Sequence, residues 1–235
     1  MNLKKLKITK KELFVDYIPA LCIAALIIVF AVWREQSFIK TLPTLITLVV
    51  MIMSVRANRF AFVVGASNSV LYAVAYLIEG LYFSAASALL VSMPIQVFSF
   101  FHWSRHKSGK TQAKLIRLNW WQLILVIVGI FPLWAGCYFG LSPLIGGNMP
   151  LWDTLLFALG IVISLLVAFR AIEGNYLNVV SCIISLVMWI MICIKDPSNI
   201  NYIIISAYNL FKVIQGTVTW TMLYCKDKKK TKIGS

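Results

Sequence analysis

Eight apolar stretches, about 17–33, 41–56, 60–78, 81–103, 119–140, 152–169, 176–194 and 200–224, alternate along this chain with short polar or charged breaks. The hydrocarbon core of a bilayer is about 30 Å thick, and a helix needs about 20 apolar residues to cross it. In lipid, backbone N–H and C=O groups must be paired within the segment or around a closed barrel. The stretches are too long and too evenly apolar for barrel strands. The pattern therefore predicts an all-α integral membrane protein with eight transmembrane helices. The first stretch follows a basic segment, as in a signal peptide. It lacks a small-x-small cleavage site and ends at Trp33-Arg34-Glu35, which predicts a retained helix.

The stretches also repeat. Residues 42–103 and 156–220 read as one three-helix unit written twice. The first helix of each ends in Arg-Ala, at Arg56-Ala57 and Arg170-Ala171, 114 residues apart. The third ends in a small residue four before a tryptophan, at Ser99/Trp103 and Gly216/Trp220, 117 apart. The difference falls in the last turn, where Lys195-Asp196-Pro197-Ser198-Asn199 replaces the tight Glu79-Gly80. On this register Asn68 faces Cys182, Tyr72 faces Leu186 and Ile95 faces Lys212. Two copies of an odd-numbered bundle lie parallel in a membrane only if another span joins them. Helix 5 is thus expected to be the inverting bridge and helix 1 an extra N-terminal span, an arrangement suited to a carrier. The expected divisions are 1–40 (basic N-terminus and accessory helix), 41–104 (first repeat), 105–141 (basic linker and helix 5), 142–225 (second repeat) and 226–235 (basic tail). The Gly/Pro-rich connection 141–150 is expected to be a turn or short surface loop, and the basic linker 105–117 partly mobile.

Composition agrees, and charge sets the orientation. The chain is 60% hydrophobic and 13% charged, with a mean hydropathy of +0.85, outside the range of soluble domains. A net charge of +14 suggests nucleic acid, but its placement argues against that partner. With eight spans, one side holds the N-terminal lysines, Arg56, Arg59, the linker, Arg170 and the tail: eighteen of the 22 basic residues. The other side has Arg34, Lys40 and Lys195, with Lys212 inside a span. The positive-inside rule puts both termini in the cytoplasm, with the lipid bilayer as partner and the tail near anionic headgroups.

No catalytic constellation is present: no His-Glu-x-x-His, Gly-x-Ser-x-Gly, phosphate loop or paired intramembrane carboxylates, so no enzyme is predicted. The five cysteines are scattered without Cys-x-x-Cys spacing and read as small apolar residues. His102 and His106 sit four apart at a basic boundary without a carboxylate, so no metal and no cofactor is expected. The spans instead carry uncharged polar and aromatic residues, which should face the bundle interior because they are costly in lipid. Asn68, Tyr72, Gln96, Asn178, Trp189, Tyr208, Asn209 and Lys212 are the expected lining of a substrate site, with amides for polar edges and rings for a flat heterocycle. Ser181 and Ser185 lie on the same helix as Asn178. Pro94, mid-helix, is the expected hinge or gate.

At these residues the chain resembles the PnuC family of bacterial vitamin transporters, over about 40–225. The resemblance is carried by Phe62-Val63-Val64-Gly65-Ala66-Ser67-Asn68 with Leu71-Tyr72, by Glu79-Gly80-Leu81-Tyr82, and by Met93-Pro94-Ile95-Gln96 through Trp103, closing with Gly216 and Trp220. It implies a 3+1+3 fold like that of SWEET carriers and an inner bacterial membrane. It also implies uptake of nicotinamide riboside by facilitated diffusion with alternating access, made one-way when a cytoplasmic kinase phosphorylates the solute. Thiamine, riboflavin or a deoxynucleoside are alternative solutes, a homotrimer is the candidate assembly, and a substrate-binding subunit of a larger complex is the alternative role. Relatives begin the central helix of the second repeat with Glu-x-Trp-x-x-Trp and an Asn or Asp four further on. Here the matching residues are Glu173, Asn175, Asn178 and Cys182.

Overall fold

The computed structural model describes residues 17–105 and 115–233, with side chains as far as Lys226. The N-terminal lysines, His106 and the linker lysines lie outside the described residues. The described chain is all-helical, apart from one isolated bridge, with eight helices: α1 (Ile18–Trp33), α2 (Phe38–Val55), α3 (Phe60–Ile78), α4 (Tyr82–Arg105), α5 (Trp120–Ile145), α6 (Pro150–Ala168), α7 (Glu173–Lys195) and α8 (Ile200–Ile233). Six of them, α2 to α7, are long and apolar enough to cross a membrane, two fewer than hydropathy alone predicts. The reason differs at each end. α1 has 16 residues, about 24 Å at 1.5 Å per residue. α8 is long but interrupts its apolar run with Asn201, Asn209, Lys212 and Gln215.

Helix ends follow local chemistry. Pro150 opens α6, where a missing N–H costs nothing. At the start of α5, Gln122 Oε1 accepts the Asn119 N–H at 2.9 Å, half of a capping box. Two connections differ from expectation. Helix continues from Ser142 to Ile145, so the 141–150 loop shrinks to four residues, with Gly146 and Gly147 at positive φ. Asn148 then reaches the preceding turn: its N–H donates to Gly80 O at 3.2 Å and its Nδ2 to Glu79 O at 2.7 Å. Gly80 has φ +68, and a Cβ there would come within 2.9 Å of Asn148 Nδ2, so both backbone and approach require glycine. Finally, the linker is pinned at its end. Leu115 is buried, and Ile116 exchanges backbone hydrogen bonds with Arg170 and Ile172 beside it.

The duplication is visible in backbone geometry, with a register one residue shorter than the Arg-Ala pairs suggest. α2 and α6 both end in a left-handed residue, Ala57 (φ 51) and Arg170 (φ 67), 113 apart. The same closing bonds recur at that spacing: Asn58 N to Met53 O at 3.1 Å, and Ala171 N to Leu166 O at 2.9 Å. What repeats is the helix-stop conformation, which backbone sterics fix, rather than the dipeptide around it. On the corrected register Asn68 matches Ser181, Tyr72 matches Ser185, and Tyr76 matches Trp189. The spacing of 117 holds in the third helices. Trp103 Nε1 donates to Val167 O at 3.0 Å and Trp220 Nε1 to Ser54 O at 3.2 Å, acceptors that are themselves 113 apart. The two buried indoles meet with centroids 5.4 Å apart.

Packing is crossed in the same way: α4 packs on α6, and α8 on α2. α3 packs between α2 and α4, α7 between α6 and α8, while α1 lies on α2 and α8, and α5 on α6. The end away from the tryptophans is tied by polar side chains. Asp153, on α6 and 2% exposed, accepts the Phe83 and Ser84 N–H groups at 2.9 Å and the Ser84 hydroxyl, satisfying orphan donors at the start of α4. Gln36 accepts from Asn201 and donates to Ser198 O at 2.9 Å, holding the start of α8. Glu79 pairs with Lys40 and accepts Asn199 Nδ2 at 2.9 Å. Pro94 lies two residues beyond a π-helical turn, Ser87–Ser92, whose wider backbone accommodates the ring and the missing N–H.

Candidate functional site

Between α3, α4, α6, α7 and α8 lies a cavity of about 280 Å3. α3 contributes Ser69, Tyr72 and Tyr76, and α4 contributes Gln96. α7 adds Asn178, Ser181, Cys182, Ser185 and Trp189, and α8 adds Asn209. A smaller cavity of about 170 Å3 shares Tyr72, Tyr76, Ser185, Trp189 and Asn209 and continues to Thr47, Tyr202 and Ser206. Toward the tryptophan end a third cavity, about 250 Å3, is lined by Ser54, Asn58, Asn175, Lys212 and Trp220 among others. Asn178 and Asn209 line both this cavity and the first, so they form the neck between them. Cys182 bridges the neck, taking Asn209 Nδ2 at 3.3 Å and lying 3.8 Å from Asn178 Oδ1. Sulfur hydrogen bonds are weak.

Among the described residues, none that lines the first two cavities is charged. Their polar groups are oriented from below. Gln96 Nε2 donates to Ser69 Oγ at 2.8 Å, and Gly65 makes room for this amide: a Cβ there would sit 2.0 Å from Gln96 Oε1. Tyr72 Oη lies 3.0 Å from Thr47 Oγ1. Four rings form a ladder along one wall: Tyr72 on Tyr76 at 5.3 Å, Tyr76 on Trp189 at 6.2 Å, and Trp189 on Tyr202 at 4.1 Å, with interplanar angles of 27°, 25° and 15°.

Of the eight expected lining residues, the structure brings Tyr72, Gln96, Asn178, Trp189 and Asn209 together around the first cavity. Asn68 is elsewhere: buried, it donates to Pro43 O at 3.1 Å and Thr47 Oγ1 at 2.9 Å, joining α3 to α2. Tyr208 packs with Ala20, Ile27 and Leu48, against α1 rather than the cavities. Lys212 lines the third cavity but is 1% exposed; its Nζ donates to Gln215 Oε1 at 2.9 Å and faces the rings of Tyr208 and Phe211. Pro94 lies outside the lining of the first cavity, although its helix supplies Gln96. Sequence reasoning missed Tyr76, Ser69 and Cys182. Tyr76 had a signal: it lies one turn beyond Tyr72 on the same face. Among the described residues no three His, Cys, Asp or Glu side chains gather as a metal site, and His102 stacks on Phe98 at 5.6 Å.

None of the curated proteins compared matches this sequence significantly. Among solved structures, the crystal structure of PnuC, a vitamin B3 transporter, superposes with a TM-score of 0.79 at 20% identity, covering 90% of this chain and 92% of that one. At that identity the likeness establishes the fold. The sequence profile for nicotinamide mononucleotide transporters matches residues 37–222, which takes in α2 to α7 and most of α8. This multi-pass membrane protein belongs to the nicotinamide mononucleotide transporter family.

Proposed function

We propose that this protein carries nicotinamide riboside, or a closely related vitamin or nucleoside, across the inner bacterial membrane. α2 to α4 and α6 to α8 act as two parallel three-helix bundles, α5 is the linking span, and α1 an accessory helix. The observation that supports this best is the chain of cavities between the two matched sets of helices, uncharged, polar and ring-lined, in a chain of this family. Amides and hydroxyls suit a sugar and a carboxamide; rings suit a flat heterocycle. Transport is facilitated diffusion by alternating access, with Pro94 and its π-helical turn as a hinge. A cytoplasmic kinase traps the solute without stable binding, both termini are cytoplasmic, and the protein assembles as a homotrimer. Thiamine, riboflavin and deoxynucleosides are the competing solutes.

Counterflow of labelled nicotinamide riboside in proteoliposomes tests the reading. Saturable exchange by the purified protein alone is expected, which also excludes dependence on a larger complex. Absence of exchange, with exchange of one of the competing solutes, reassigns the cargo.

A further inference from the structure

The four-ring ladder has one joint unlike the other two. Tyr72 and Tyr76 both belong to α3, and Trp189 and Tyr202 belong to the adjacent α7 and α8. Only the joint of Tyr76 with Trp189 spans the two sets of helices, and it is the widest, at 6.2 Å against 5.3 and 4.1 Å. Both residues line the first two cavities, and they occupy matched positions, 113 apart.

We propose that Tyr76 and Trp189 clamp the heteroaromatic ring of the solute between their faces, and that this clamp, rather than Asn175 or Asn178, reads the ring. The inference rests on the carrier reading above and deepens it. The outer face of Trp189 is already covered by Tyr202, which braces it, so the face toward Tyr76 is the one left for a ligand. A ring entering there adds two stacked contacts and widens the joint, moving the two sets of helices apart at this wall. Binding is thereby coupled to the relative position of the bundles. The Tyr202 hydroxyl, buried beside the joint without a hydrogen-bond partner among the described residues, offers a polar contact at the ring edge. The electron-rich ring faces attract a ring that carries positive charge, as an N-substituted pyridinium does, and no Lys or Arg among the described lining residues repels it.

Binding by the purified full chain, followed by calorimetry, tests this with nicotinamide riboside, 1-methylnicotinamide, nicotinamide and D-ribose as probes. The unsubstituted protein should bind 1-methylnicotinamide more tightly than nicotinamide and show no competition by ribose. Tyr76→Leu, which keeps apolar bulk but removes the face, should weaken nicotinamide riboside binding about tenfold, and Tyr76→Phe should recover most of it. Thermal unfolding reports whether each variant folds. Unchanged binding in a folded Tyr76→Leu overturns the clamp while leaving the carrier reading intact. So does ribose competing where 1-methylnicotinamide does not, a result that needs no variant. Failure of the unsubstituted protein to bind or exchange nicotinamide riboside overturns the carrier reading itself, and the clamp with it.

Discussion

The helices α2 to α4 and their counterparts α6 to α8 share backbone devices and differ in cavity chemistry. The same left-handed stop closes α2 and α6, and each third helix sends a tryptophan N–H to the same carbonyl on the opposite first helix. Inside, Gly65 stands opposite Asn178, Ser69 opposite Cys182, Tyr72 opposite Ser185, and Tyr76 opposite Trp189. Aromaticity is kept at one matched pair only. The difference teaches that symmetry is retained where two bundles must fit each other. It is dropped where an asymmetric solute, ring at one end and sugar at the other, must be read.

The largest expected effect comes from the crossed tryptophans. Trp103→Ala and Trp220→Ala should each cost about 3 kcal/mol, and nearly equally, because both indoles are buried and make matched bonds. Phe at either site should cost about 1 kcal/mol, the share of the indole N–H. Thermal unfolding of the detergent-solubilised protein reads both, and a strongly unequal pair breaks the symmetry argument. Next is Asp153→Ala, expected to cost about 1–3 kcal/mol by leaving buried donors of α4 without an acceptor. The matched position holds Lys40, so Lys40→Ala tests a different partner, Glu79, and need not give the same loss.

Gly65→Ala should be felt in function more than in stability. It displaces the Gln96 amide from Ser69, lowering affinity for the solute in counterflow while leaving the unfolding temperature within about 2 °C. The smallest effect concerns pH. The Ser198 N–H and hydroxyl hold the Asp196 carboxyl below the ordinary carboxylate range. A lowered folded value means its contribution is complete above the unfolded value, about 3.9, and fades as pH falls through the folded one. Unfolding temperature should therefore be insensitive to this group between about pH 5 and 8, and Asp196→Asn should flatten only the acid limb.

Most helices were legible because apolar runs of bilayer length favour one reading; the end of α5 was not, because helix continues through Ser142–Ile145 in a Gly/Pro-rich stretch. Faces were not. In lipid both the inner and outer surfaces of a span are apolar, so depth is readable but rotation is not. Asn68 and Tyr208 lie at the right depth but sit one residue from Ser69 and Asn209, which do line the cavity; one step turns a helix by about 100°. The register slipped by one for a related reason: Arg-Ala is a side-chain match, whereas the structure repeats a backbone stop. Tyr76 lies one turn beyond Tyr72, but it meets its counterpart, Trp189, only on the corrected register.

Alternating access of the two helix sets is tested most directly by paired spin labels at their two ends. Exposed Ile78 and Ile194 mark the end of the Glu79 network, and exposed Phe60 and Phe169 mark the tryptophan end. On addition of nicotinamide riboside in lipid nanodiscs, the two distances should change in opposite senses. Distances that move together, or that do not respond while the solute is bound, would contradict the account.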